Sequence, residues 1–140
     1  MKLLSKEWVD TVMAKGNVDA AYLKKAKGLT LVLQLVITDC PDQTDKLADW
    51  DFKRGKIECK VEEKAAPSDW RGMDYDPSKY FAKGIASYDA FSSVIKGETT
   101  LMAALTTGAW QIAGDPMKVM GKVAEINVFF DFLKSIPLET

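Results

Sequence analysis

A chain of 140 residues makes one domain, long enough to bury about two-thirds of the surface that its unfolded form exposes. Nineteen basic residues balance twenty acidic ones, and with no basic patch to meet a phosphate backbone the charge argues against nucleic-acid binding. With no histidine and only two cysteines, Cys40 and Cys59, the chain excludes a Cys₂His₂ zinc site, a Ser-His-Asp triad and a Cys-His pair, hence most hydrolytic mechanisms.

The N-terminal stretch MKLLSKEWVD carries Lys6, Glu7 and Asp10 where a signal peptide needs an unbroken apolar core. No apolar run reaches the ~18 residues of a membrane span. A cytoplasmic location is therefore expected, and the final Leu138-Glu139-Thr140 is not a peroxisomal address. Ser5 precedes Trp8, Val9, Val12 and Met13 at helical spacing, and Gly16 closes them, so residues 5–16 form an amphipathic helix. Asn17 is the expected cap of a second short helix, Val18 to Lys27, with Lys24 and Lys25 at its C-terminal end, where the dipole favours cations.

Leu29 to Thr38 reads as a strand that is apolar on both faces and needs cover on each. Ala48, Trp50 and Phe52 then alternate with charged residues up to Arg54-Gly55. Beyond that turn, Ile57, Cys59 and Val61 do the same. A two-residue loop would set Phe52 opposite Ile57 and Trp50 opposite Cys59, giving a hairpin with one dry and one charged face. Cys59 on the dry face is a small core residue rather than a reactive thiol.

Residues 65–79 read as a long loop whose Trp70, Met73 and Tyr75 pack on the sheet or fold over a pocket mouth. A fourth strand is expected from Tyr80 to Ala86. Ser87 then caps a helix from Tyr88 to Lys96 with Phe91, Val94 and Ile95 on its apolar face.

From Gly97 to Gly121 the signals come close together. Leu101, Met102, Ala104 and Leu105 make a short helix that Thr107-Gly108 stops. Ala109 to Ala113 is a short strand with Trp110 and Ile112 on one face. Asp115-Pro116 opens a last helix, expected to run unbroken to about Ser135, because Asp accepts from the first amides and Pro has its dihedral preset. Its second half, INVFFDFL, is apolar nearly all round and must be covered by the domain or by a partner. The elements sum to an α+β domain with one antiparallel sheet.

The ordered set Gly97, Ala103-Ala104-Leu105, Thr107-Gly108, the strand through Trp110 and Ile112, and Gly114-Asp115 resembles the sterol carrier protein type-2 domain family. The resemblance covers roughly residues 20–136 and leaves the helix at 5–16 as an extension. The chain departs from the family pattern at Thr100-Leu101, where members often carry Asp-Pro. It departs again at Ala109, Gln111 and Ala113, where many have basic residues. The resemblance implies a five-stranded antiparallel sheet with helices on one face, enclosing an apolar tunnel that binds and carries a fatty acid, acyl chain or sterol-like lipid. It implies no catalysis, cofactor or metal, at most transient membrane contact, and leaves a homodimer open.

A Met and aromatic stripe at helical spacing is more often core than cavity, but the resemblance favours cavity. The expected ligand-binding residues are Phe91, Ile95, Met102, Leu105, Trp110, Ile112, Met117, Met120 and Val123. Burial would supply about 0.8 kcal/mol per CH₂, roughly 8 kcal/mol for ten methylenes before ordering costs. Two rival readings stand beside this one. An enzyme would draw acid–base groups from Asp74, Asp76, Asp89 and Lys96, which are more simply turn residues, caps and exposed charges. An interaction module would dock through Phe129, Phe130 and Phe132 of the last helix.

Overall fold

The computed structural model describes residues 1–138, so Glu139 and Thr140 of the terminal triplet lie outside the described residues. In order the elements are α1 (Lys6–Gly16), α2 (Ala20–Lys25), β1 (Leu31–Thr38), β2 (Thr44–Lys53), β3 (Lys56–Ala65), β4 (Ala82–Ser87), α3 (Tyr88–Ile95), α4 (Leu101–Thr107), β5 (Trp110–Ala113), α5 (Pro116–Met120) and α6 (Val123–Leu133). The strands form one sheet in the order β3-β2-β1-β4-β5. None of the described helices is long and apolar enough to cross a membrane.

The β2–β3 hairpin turns on Arg54 and Gly55, both at positive φ (51° and 87°), as a two-residue turn that matches strand twist requires. Phe52 faces Ile57 and Trp50 faces Cys59, the pairing that the alternation predicts. β1 pairs antiparallel with β2, so that Leu31, Leu33 and Leu35 sit beside Phe52, Trp50 and Ala48.

One expectation needs correction: the sheet is mixed, because β1 and β4 run parallel, with Leu35 beside Gly84. The cause is the path of the chain. β3 ends where β1 ends, and residues 66–81 cross back over the outer face of the sheet, so β4 must start alongside the start of β1.

That crossing supplies the cover that β1 needs on its second face. Trp70, in a 3₁₀ turn at Asp69–Gly72, is buried, and so is Tyr80, whose hydroxyl donates to Asp49 Oδ2 (3.0 Å). Asp45, wholly buried on β2, pins the segment. It accepts from Arg71 Nε (2.8 Å) and Nη2 (2.9 Å), from Ser68 N (2.9 Å) and Oγ (2.7 Å), and from Asp39 N (3.1 Å). The Arg71 guanidinium, helped by Ser68, holds the Asp45 carboxyl well below the usual carboxylate range. Lys83, buried on the same face, donates to the Met73 carbonyl.

The helices all pack on the opposite face. Trp8 of α1 meets Trp50 edge to face at 6.1 Å, and Phe129 of α6 lies against both Trp50 (5.0 Å) and Phe52 (4.8 Å). The apolar C-terminal segment is thus covered by the domain itself: Phe129, Phe130, Phe132 and Leu133 are all buried. This removes the surface on which a docking role for these phenylalanines depended.

Two boundaries also differ from expectation. Asp19, not Asn17, caps α2 by accepting from Tyr22 N (3.0 Å). Asn17 ends α1 and uses its amide on the sheet edge, accepting from Ile57 N (2.7 Å) and donating to Ile57 O (3.0 Å). The last helix is two helices. Gly121 closes α5 and Lys122 leaves helical geometry (φ −112°, ψ −2°), with its Nζ donating to Gly28 O (3.1 Å). Glycine is a poor helix interior residue, and the break falls where the sequence places one.

Candidate apolar binding site

The candidate site is an apolar cavity of about 20 Å³ between the sheet and α4, α5 and α6. Its floor is Leu33, Leu35, Ala82 and Gly84 on the two central strands, with Phe81 at the rim. Gly84 matters because it lacks a Cβ, and Leu35 Cδ2 fills the space that a Cβ would need.

Each wall element is set by local chemistry. Thr100 caps α4 by accepting from Ala103 N (3.1 Å), and Gly108 ends it at φ 81°. This register turns Leu101 and Leu105 inward. β5 joins the edge of β4, with Ile112 beside Gly84 and Trp110 beside Ala86. Asp115 Oδ1 accepts from Met117 N (3.1 Å) and Lys118 N (3.3 Å) and starts α5 at Pro116, which points Val119 into the cavity. Val123, Ile126 and Phe130 of α6 complete the wall.

Of the residues expected to bind ligand, Leu105, Trp110, Ile112 and Val123 line this cavity. Phe91 stands one layer back. It stacks on Trp110 (centroids 5.7 Å apart, planes 21° apart), while Trp110 Nε1 donates to Ala90 O (3.1 Å) and Phe130 meets the indole edge to face at 5.6 Å. Ile95 is buried in the core and does not line the cavity. The three methionines do not gather around enclosed space. Met102, Met117 and Met120 are exposed, because the caps of α4 and α5 turn Leu101, Leu105 and Val119 inward in their place.

Leu33, Leu35, Phe81, Ala82 and Gly84 on the floor were missed by sequence reasoning, as were Leu101, Val119, Ile126 and Phe130 in the walls. A usable signal existed for the last three. Val119, Val123, Ile126 and Phe130 recur at four-, three- and four-residue spacing, a single helical stripe.

The wall holds no polar or charged side chain, so the space offers dispersion and burial but no directional chemistry. Asp74, Asp76, Asp89 and Lys96 are all exposed and none reaches it; Asp76 is a turn residue whose Oδ1 accepts from Ser78 N (3.0 Å). Among the described residues no group of three or more Cys, Asp and Glu side chains is placed to hold a metal ion.

No protein-family model matches the chain, and no curated protein matches it. Solved structures do. A crystal structure of sterol carrier protein 2 superposes with a TM-score of 0.74 at 16% identity, covering 97% of this chain and 100% of that one. The solution structure of a conserved hypothetical protein from Thermus thermophilus gives 0.70 at 15% identity, covering 99% and 92%. The apo form of sterol carrier protein 2 from Yarrowia lipolytica gives 0.58 at 13% identity, covering 91% and 89%. The chain therefore has a sterol carrier protein 2-like α+β fold.

Proposed function

We propose that this protein binds an apolar lipid, such as a fatty acid or another single acyl chain, in the cavity between α4, β5, α5 and α6, and that it carries rather than transforms it. The observation that carries this reading is the wall itself: Leu105, Trp110, Ile112, Val119, Val123 and their neighbours present only apolar surface to the space. The fold shared with sterol carrier protein 2 supports it.

The cavity, at about 20 Å³, has room for about one water molecule. A ligand pocket of ordinary size holds roughly 300–1,000 Å³. Binding must therefore spread the walls, and the parts least tied to the sheet are α5, five residues long, and β5, which pairs on one side only. Each buried methylene contributes about 0.8 kcal/mol toward that opening.

The test is titration of delipidated protein with a fluorescent long-chain fatty acid, together with gentle native mass spectrometry of protein expressed in bacteria. Saturable binding, blocked by Val119→Trp in a variant that remains folded, is the expected result. No saturable binding and an unchanged apo mass after exposure to several long-chain lipids would sink the reading.

A further inference from the structure

The outer surfaces of the cavity walls carry most of the large apolar side chains that the fold leaves in water. Among the described residues five large hydrophobics are exposed, and four of them fall on α4, β5 and α5: Met102 (39%), Ile112 (42%), Met117 (86%) and Met120 (52%). The fifth, Val18, lies in the α1–α2 connection. Charge is almost missing from the same stretch. Residues 101–121 hold only Asp115 and Lys118, where the chain's overall share of 28% would place about six. Ile112 belongs to both surfaces, since it lines the cavity and is open to solvent. The neutral surface is therefore continuous with the apolar interior.

We infer that α4, β5 and α5 form a docking surface for a lipid bilayer, through which an apolar ligand passes between membrane and cavity. The inference rests on the lipid-binding reading of the cavity. Two features choose the bilayer over a second copy of the chain. Four exposed apolar side chains make a small contact beside the roughly 20–30 residues that each partner contributes to a stable protein pair. With only Asp115 and Lys118 charged over residues 101–121, few groups are there to fix the orientation of a protein partner, whereas seating a few flexible side chains at the headgroup–acyl boundary needs none. Methionine suits such a surface, because its unbranched, polarizable chain adapts to irregular apolar neighbours. A contact so poor in charge needs no anionic lipid and responds little to salt.

The experiment is flotation of delipidated protein with neutral phosphatidylcholine vesicles, for the natural chain, for Met117→Asp/Met120→Asp and for Val18→Asp. Fatty-acid affinity is measured in parallel in vesicle-free buffer. The natural chain and Val18→Asp should float, with a bound fraction that changes less than about twofold between low and high salt. The double variant should lose about tenfold or more of its vesicle partitioning while its fatty-acid affinity holds. A natural chain that stays in the aqueous fraction, or a double variant that floats equally well, would overturn the surface. So would flotation that requires anionic lipid and disappears in salt, or a concentration-dependent dimer that the double variant breaks. If the natural chain floats but takes up no fatty acid, the surface stands and the cavity reading fails.

Discussion

Leu35 and Gly84 lie side by side across the parallel β1–β4 pair, and a Cβ on residue 84 would come within 2.8 Å of Leu35 Cδ2. The missing side chain is what seats Leu35 in the cavity floor. Gly84→Ala should push Leu35 into the cavity and fill it. We expect a loss of about 1–2 kcal/mol in urea unfolding of delipidated protein, at the low end of overpacking because the displaced group has somewhere to go. Affinity for a fluorescent fatty acid should fall about tenfold, equivalent to ~1.4 kcal/mol. Unchanged affinity would place the ligand away from this floor.

Asn17 should contribute through the sheet edge rather than as a helix cap. Its amide takes up both the N–H and the C=O of Ile57 on the outer edge of β3. Asn17→Ala should cost about 1–3 kcal/mol and speed hydrogen exchange at the Ile57 amide specifically. Asp19→Ala should cost about 1 kcal/mol and leave that amide protected. Equal exchange at Ile57 in both variants would show that the clamp adds nothing.

Asp45 should make stability depend on acid. Its carboxyl is held below the usual range by Arg71 and Ser68 in the folded chain, while in the unfolded chain it titrates near 4. A lowered native value means that the unfolded chain binds the proton first as pH falls. The contribution of Asp45 is complete at neutral pH, starts to fade near pH 4 and is still fading at pH 2. Asp45→Asn should destabilise by about 1–3 kcal/mol at pH 7, since it removes the charge that Arg71, Ser68 and the Asp39 amide all point at and leaves Arg71 only its outer pair with Asp39 (2.9 Å). The gap between the two proteins should narrow steadily from pH 5 to pH 2. A constant gap would mean that Asp45 acts only through shape.

Both thiols should be inert in the folded protein. Burial pushes Cys40 up to about 11 and pushes Cys59 higher still, so neither supplies thiolate at neutral pH. Maleimide at pH 7 should label neither thiol on the timescale that labels both in urea. Rapid labelling of native Cys59 would contradict its place opposite Trp50.

The hairpin, the caps at Ser5, Ser87 and Asp115, and the stop at Gly108 were all legible, because each depends on a few adjacent residues. The parallel pairing of β1 with β4 was not, since it follows from a segment that crosses the sheet and is held there by Asp45 and Arg71, 26 residues apart. The site was legible in part for the same reason. Leu105, Trp110, Ile112 and Val123 follow from local order, but the inward side of α5 is the one that Val119 shares with Val123, Ile126 and Phe130. Weight placed on Met117 and Met120 overlooked that stripe, which begins at Val119. Gly84 gave no signal in sequence: its importance comes from Leu35, a strand away.

The crossing of residues 66–81 also orders events in time. The β2–β3 hairpin needs only neighbours in sequence, so it can assemble early. The floor of the cavity joins Leu33 and Leu35 to Ala82 and Gly84, and that junction must wait until the hairpin and the whole crossing segment have been laid down. We therefore expect the compartment to form late in refolding, after the hairpin. Pulse-labelled hydrogen exchange should find the β2–β3 amides protected before those of β4 and β5, and simultaneous protection would show that the sheet closes in a single step.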